Sequence, residues 1–266
     1  MARTYLDHAS TSPLRPCARD AMAEVLEASS AGLLGDPARL HAEGISARDT
    51  LEEARKAVAG WLGVRPRQVV FTSGATESVA TASWFAARDH SDATGHVVTS
   101  GVEHSSVREW AARGPHTEVP VDRHGTVDTE ELLDASTAAT ALVHLQWANH
   151  EVATRQDVAG AASLLAAAPG TTRDRPLLHT DAAQAGAAAP EAVASGADLV
   201  SLSGHQLGAP AGIGLLGVRA GLRIQPRLVG GDQERARRGG LETLAAAVGL
   251  GAVARELASV GPAELQ

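Results

Sequence analysis

Ser203, His205 and Gln206 lie in a polar turn between two apolar strands, a place where side chains can act on a ligand. The first strand, Asp198 to Ser203, carries Leu199, Val200 and Leu202; after a Gly/Pro-rich connection the second runs from Ile213 to Val218. A second candidate is Asp181, at the end of a buried strand. A buried carboxylate is costly unless paired, so Asp181 needs a cationic partner, or else it caps the Ala-rich turn that follows. Gln184, three residues on, can face the same side with an amide that donates and accepts. The third is the turn Thr72 to Ser78, between a strand at Gln68 to Phe71 and a helix running through Trp84 to about Ala87. Free N–H groups and the helix dipole there make an anion site at Gly74, Ala75 and Thr76; capping by Thr72 or Ser73 is the alternative. His104, after a strand at His96 to Thr99, either exchanges protons or caps the helix starting at Ser105. Asn149 and His150 follow a strand at Thr140 to Gln146, where an Asn equally serves turn chemistry.

The elements that must position these groups alternate in type. Helical patterns at Arg15 to Ser29, Thr129 to Ala135, Asp157 to Ala168 and Ala245 to Ala258 are interleaved with the strands above and with one at Glu118 to Val121, which predicts an α/β fold with a mainly parallel sheet. Between Arg48 and Leu62, the residues Leu51, Ala54, Val58, Trp61 and Leu62 recur at helical spacing, and Lys56, the only lysine, falls on the polar side. With 266 residues, 44% of them hydrophobic, the chain can bury one substantial core or two small ones. A net charge of -8 gives no electrostatic reason to bind nucleic acid or an anionic membrane, and the local cluster Arg235, Arg237 and Arg238 reads as solvated surface. No apolar run approaches a membrane span and the start lacks a basic-then-apolar leader, so a soluble cytoplasmic protein is expected. A single cysteine, Cys17, excludes an internal disulfide; it reads as small core filling rather than as a thiolate at a helix start.

In their order these motifs resemble the cysteine desulfurases, the NifS-like branch of the class V aminotransferases, over essentially the whole chain. The similar segments are Tyr5-Leu-Asp7 with Thr11 and Pro13, Gly35-Asp-Pro-Ala38 with His41, Thr72-Ser-Gly-Ala-Thr-Glu77, Glu103-His104, Asn149-His-Glu151, Asp181 with Gln184, Ser203 with His205, and the Gly230-Gly231 segment with Gln233, Glu234 and Arg238. The resemblance implies the large domain of fold type I enzymes that use pyridoxal phosphate (PLP): a mainly parallel mixed sheet flanked by helices, spanning 15 to 266 after an N-terminal segment, 1 to 14. It also implies that Gly74, Ala75, Thr76, Ser203 and His205 hold the phosphate, that His104 stacks on the pyridine ring and moves protons, and that Asp181 pairs with the ring nitrogen. Gln184, with His150 or Asn149, would reach the ring hydroxyl. No metal is implied.

Four departures qualify that expectation. Gln206 stands where the family carries the lysine that binds PLP as a Schiff base, and a carboxamide cannot do so. Ala80 replaces an Asn, and Leu241 replaces a Thr that in family dimers reaches the neighbouring subunit's cofactor phosphate. The small domain bearing the family's nucleophilic Cys and substrate-binding Arg is expected to be absent. The family reaction turns L-cysteine into L-alanine with sulfur transfer; here it is expected to be impaired or altered, the mark of a pseudoenzyme candidate, with any PLP bound non-covalently. The alternatives are an enzyme using non-covalent PLP or its amine form on an amino acid, and a non-catalytic partner. A homodimer, or a heterodimer with a desulfurase-like chain, is expected in each case.

Overall fold

The computed structural model describes residues 4–88, 95–167 and 175–260. Helix α1 (Pro16–Ser30) opens on a proline whose missing N–H costs nothing at a first helical position. Helix α2 (Ala42–Leu62) begins earlier than its apolar stripe suggested, because the His41 ring accepts the Gly44 N–H at 3.3 Å and caps it. It stops at Gly63, whose φ of 70° lies in the left-handed region. Then follow β1 (Val69–Thr72), α3 (Ala75–Arg88), β2 (His96–Ser100), α4 (Ser105–Ala111), β3 (His116–Val119), α5 (Thr129–Asp134), β4 (Thr140–His144), α6 (Val158–Ala167), β5 (Leu177–Asp181), α7 (Ala189–Ala194), β6 (Leu199–Ser203), β7 (Gly214–Val218) and α8 (Leu244–Ser259). β3 sits two residues earlier than expected, since Pro120 has no N–H to continue a ladder. The expected end of α6, Ala168, lies outside the described residues.

Among the described residues the sheet has seven strands in the order β1-β7-β6-β5-β4-β2-β3. The strands from β6 to β3 pair in parallel, whereas β7 is antiparallel to both β6 and β1. The fold is therefore the expected α/β architecture with a mixed, mostly parallel sheet. One face, through Val143, Leu145, Leu178, Val200, Leu202 and Leu215, packs into the main core with residues of α1, α2, α6 and α8.

The other face, crossed by α3, changes character along the strands. It is apolar at Val70, Leu142, Leu199 and Leu216, in contact with residues of α3 such as Ala82 and Ala86. Further on, every second residue turns polar: His144 then Gln146, His179 then Asp181, Ser201 then Ser203. Ladder bonds from Leu145 N to His179 O and from Trp147 N to Asp181 O carry Gln146 to the carboxyl end of the sheet beside Asp181. That end is where open parallel sheets place ligands.

Gly214 shows how closely the site is built onto the sheet. A Cβ there would lie 2.6 Å from Gly74 Cα and from Leu202 O, both backbone atoms. Gly214→Ala is accordingly expected to cost about 2 kcal/mol, the range for overpacking, and to disturb the 72–76 turn; urea unfolding of the variant measures it.

The basic cluster corrects the solvated reading for Arg237 and Arg238, whereas Arg235 is exposed. Arg237 reaches the carbonyls of Arg67 (2.7 Å) and Val69 (3.3 Å), Arg238 pairs with Glu77 (3.0 Å), and Arg235 pairs with Glu52 (2.8 Å). For Arg237 the reason is that β1 is an edge strand, whose outward carbonyls need donors. Burial lowers the Arg237 pKa to about 10. Lys56 does lie on the exposed side of α2, paired with Glu53 at 2.7 Å. Cys17 is half-buried against the core, and burial together with Glu256 raises its thiol pKa.

Candidate functional site

At the carboxyl end of the sheet lies a cavity of about 610 Å³. Its walls include Ser73, Gly74, Ala75 and Thr76 from the turn into α3, His104 ahead of α4, Gln146 and His150 after β4, Asp181 and Gln184 from β5 and the turn after it, and Ser203, His205 and Gln206 from β6 onward. All the expected site residues except Asn149 line it. The Asn149 amide is spent on its own turn: Oδ1 accepts from Glu151 N (2.8 Å) and Val152 N (2.9 Å), and Nδ2 donates to Val102 O (3.2 Å). Of the two candidates at that place, His150 is the one at the cavity. Ala80 and Leu241 do not line it.

The turn before α3 is shaped by side chains. Thr72 Oγ1 takes the Gly74 N–H (3.4 Å) and meets Ser78 Oγ (2.8 Å), while Glu77 Oε2 takes the Ser73 N–H (2.7 Å). Arg238 holds Glu77 in place and, with the Ser73 contacts, keeps its pKa low against the opposing effect of burial. The start of a 14-residue helix and the hydroxyl residues Ser73, Thr76 and Ser203 thus all belong to the lining of the cavity.

Asp181 lines the cavity, and a second buried carboxyl group, Glu103, lies behind the lining residue Gln146, whose N–H it accepts. Asp181 accepts one bond, from Ala183 N at 3.1 Å, and burial raises its pKa against the lowering effects of that bond and of His104 and His150. Its capping of the next turn and its place at the cavity are therefore both realised. Glu103, named with His104 in the motif but given no role there, is buried. Its Oε1 accepts from Ser100 Oγ and Gln146 N, each at 2.8 Å, Oε2 has no partner, and burial pushes its pKa up to about 7. His104 is placed both at the cavity and at the start of α4. Its Nδ1 accepts from Ser106 N (3.1 Å) and caps α4, which leaves the proton of the neutral ring on Nε2. The ring lies edge-on to that of His150, 5.8 Å away.

Residues 7–12 form a strap beside Gln184, His205 and Gln206, with Asp7, Ala9 and Ser10 in the cavity lining, a placement that nothing in their own residues signalled. Gln184 Nε2 and Gln206 Nε2 both donate to Ala9 O, at 2.9 and 3.2 Å; Ser12 Oγ donates to Gln206 O (2.9 Å), and His205 meets Thr11 Oγ1 (3.2 Å). Gln206 Oε1 and Gln146 Nε2 are buried with no partner. Among the described residues no group of three acidic, His or Cys side chains is placed to hold a metal ion.

One layer below the floor runs a buried chain of hydrogen bonds. Ser83 Oγ donates to Val79 O (2.9 Å), so His144 Nε2 donates to Ser83 Oγ (3.1 Å), and the neutral His144 accepts at Nδ1 from His179 Nδ1 (2.8 Å). His179 Nε2 then accepts from Ser201 Oγ (2.7 Å). The chain ties α3, whose first residues line the cavity, to β4, β5 and β6. Burial lowers the His144 pKa to about 3, and that of His179 well below its usual value. Between an ordinary histidine pKa of about 6.5 and that lowered value, the unfolded chain binds a proton that the folded chain does not, so stability falls as pH falls through this window. Glu103 works the other way, because its raised pKa makes the folded chain the better proton binder between about 4.5 and about 7. The contribution of one histidine is therefore best read by difference: His144→Leu is expected to flatten the pH slope of unfolding free energy between pH 6 and 5 by about 1.4 kcal/mol per pH unit, one proton's worth. Urea unfolding across that range measures it.

A phosphorylated pyridine fits these residues. The volume lies within the range of cofactor pockets. Asp181 is, among the described residues, a buried carboxylate without a cation, the complement of a protonated ring nitrogen, and the helix-start N–H groups and hydroxyls of the lining are the complement of a phosphate. The comparisons agree with the geometry. The family model for class V aminotransferases matches residues 4–266. The chain is 38% identical over 263 residues to an IscS-like cysteine desulfurase of Mycobacterium tuberculosis, a match covering 94% of this chain and 64% of that protein. It is 37% identical to the mitochondrial cysteine desulfurase of Drosophila melanogaster, covering 94% and 54%. A NifS-like protein of solved structure superimposes with a TM-score of 0.87 at 30% identity, over 97% of this chain and 70% of that one. The chain thus spans 54% to 64% of the length of these two curated relatives. On the match along nearly its full length, the chain belongs to the class V aminotransferase family, in its cysteine desulfurase (NifS-like) branch.

Proposed function

We propose that this chain binds PLP reversibly, without a lysine anchor, and that on its own it is impaired in converting L-cysteine to L-alanine. The observation that carries this reading is Gln206. It stands beside His205 in the cavity wall, its amide bonded to Ala9 O, while the only lysine, Lys56, is paired with Glu53 on the exposed face of α2. When bound, PLP supplies an electron sink for charge developing beside an amino carbon. Asp181 would keep the ring nitrogen protonated, and the low polarity of its site strengthens that pairing. The N–H groups of Ala75 and Thr76, with Ser203 and His205, would hold the phosphate. His104, with its proton on Nε2 and Nδ1 engaged by Ser106 N, lines the cavity and would serve there as a hydrogen-bond donor. Gln206 has no basic nitrogen, so it neither condenses with an aldehyde nor takes a proton. This is compatible with altered chemistry on an amino acid whose own amine reacts.

The test is titration with PLP followed by absorbance, then borohydride reduction and peptide mapping. Saturable binding that washes out and leaves no reduced adduct is the expected result. An adduct on Lys56, or alanine formed from cysteine by the isolated protein, would overturn the proposal.

A second reading, a non-catalytic partner in a homodimer or in a heterodimer with a desulfurase-like chain, is favoured by the apolar side chains exposed on the loop before α8: Leu228, Val229 and Leu241, the last two 85% and 62% exposed. Light scattering of the purified protein bears on it, since a monomer that stays a monomer when mixed with a desulfurase excludes both dimers.

A further inference from the structure

We propose that Glu103 is a positioning residue whose charge is linked to that of Asp181: it keeps a proton while Asp181 stands alone and releases it when a cation pairs with Asp181. The link to a ligand rests on the reading of the cavity as a PLP-type site; the link between the two carboxyls does not. Strand β2 ends at Ser100, while the chain after β4 runs on to the cavity. There the N–H groups of Gln146 and Trp147 turn to opposite sides. Trp147 N donates to Asp181 O on the β5 side at 2.9 Å, and Gln146 N, on the side where β2 has ended, donates to Glu103 Oε1 at 2.8 Å. The Glu103 carboxyl thus takes the place of a strand carbonyl. Ser100 Oγ donates to the same oxygen at 2.8 Å, and Gln146, held in this way, lines the cavity.

Both donors fall on Oε1. Oε2 is buried and, among the described residues, has no partner. An ionised Glu103 therefore carries charge on an oxygen with neither water nor a donor, whereas the neutral acid keeps its proton there, and a bare buried charge costs more than a bare hydroxyl. The titratable groups around this corner are Asp181 on β5, His104 next in the chain, His150 beyond Gln146, Glu77 at the start of α3, paired with Arg238, and the exposed Glu118 on β3. Burial raises the Glu103 pKa to about 7, and Asp181 adds to it as a second negative charge in a low-dielectric place. A cation against Asp181 offsets that repulsion. Glu103 then ionises, its proton passing to the solvent, and the bonds from Gln146 N and Ser100 Oγ strengthen because their acceptor is now charged. The wall at Gln146 is held more firmly when the site is filled.

The experiment is an NMR titration of isotope-labelled glutamate carboxyl carbons, with Glu103→Gln, which keeps an acceptor for Gln146 N, assigning the resonance. In the ligand-free chain the Glu103 midpoint is expected at about 7, and in Asp181→Asn about one pH unit lower. Saturation of the unsubstituted chain with PLP is expected to lower it by a similar amount. Calorimetry near neutral pH in buffers of different ionisation enthalpy reads the same event as protons released: on binding PLP, the unsubstituted chain is expected to release about half a proton more than Glu103→Gln. A ligand-free midpoint near the ordinary value of 4.5, or one that Asp181→Asn does not move, would overturn the inference whatever PLP does. A midpoint that falls in Asp181→Asn but stays in place on saturation with PLP would overturn the link to the ligand, and with it the pairing of the ring nitrogen with Asp181. Failure of PLP to bind would overturn the reading of the cavity and that same link, with the carboxyl pair still decided by the ligand-free titrations.

Discussion

Asp181→Asn is expected to weaken PLP binding by about 100-fold while leaving the ligand-free protein as stable as before or slightly more so. The two signs follow from one observation. The carboxylate is buried, its pKa is raised by that burial, and one backbone N–H is its whole complement of hydrogen bonds. Without ligand it is a cost to the fold. With a protonated ring nitrogen against it, it becomes half of a charge-assisted pair in a low-dielectric site, and losing such a pair costs about 3 kcal/mol. Asparagine keeps an oxygen for Ala183 N but has no charge to offer. A purely structural Asp181, serving only to cap its turn, would move stability and affinity in the same direction. Thermal unfolding with and without PLP, together with titration of both proteins, separates the cases; unchanged affinity would remove Asp181 from the site.

How much of this was legible in the sequence depended on whether the signal was local. The strands and the turns that end them were readable from apolar runs closed by Gly, Ser and His, and so the residues at strand ends, Gly74, His104, Asp181, Ser203 and His205, were found. Where two positions competed for one role the sequence had no means to choose. Asn149 and His150 are neighbours, and only the turn geometry, which spends the Asn149 amide on Glu151 N and Val152 N, leaves His150 at the cavity. Contacts between distant segments were invisible. The strap reaches Gln184 and Gln206 across 175 and 197 residues, and nothing in residues 7–12 marks them as a wall. The polar layer beneath the floor was within reach: His144 and Gln146 alternate on one side of an otherwise apolar strand, as do His179 and Asp181, and that period-two pattern marks a polar row on a buried face. The arginine cluster was misread because charge was counted without asking which backbone groups lacked partners.

That cluster leads to the largest stability effect expected for a single substitution. Glu234→Ala should destabilise the fold by about 3 to 5 kcal/mol. The Glu234 side chain is buried and bonded at both oxygens to Arg55, at 2.6 Å each, and Glu234 Oε2 also accepts the Phe71 N–H at 2.9 Å. Arg55 Nη1 in turn donates to Val69 O at 3.1 Å. Together with Arg237, the pair presents to the open edge of β1 an acceptor where the strand has a free N–H and donors where it has a free carbonyl, acting as a side-chain substitute for a further strand. Its geometry is held against a backbone cost, since Glu234, Arg235 and Ala236 have φ of 49°, 60° and 60°, a left-handed turn without glycine. Removing Glu234 leaves the Arg55 charge buried beside only the more exposed Glu52, orphans Phe71 N, and frees the turn to relax. Because β1 leads straight into Thr72 and Gly74, and Arg238 of the same loop holds Glu77 against Ser73 N, PLP affinity should fall along with stability. Replacing both partners, Arg55→Met with Glu234→Met, is expected to recover part of the loss, since an apolar pair leaves no unbalanced charge, although Phe71 N stays without its acceptor. Urea unfolding of the two single variants and the double variant measures the coupling. Strictly additive losses would mean that the pair does not act as one unit and that the edge of β1 is held by Arg237 alone.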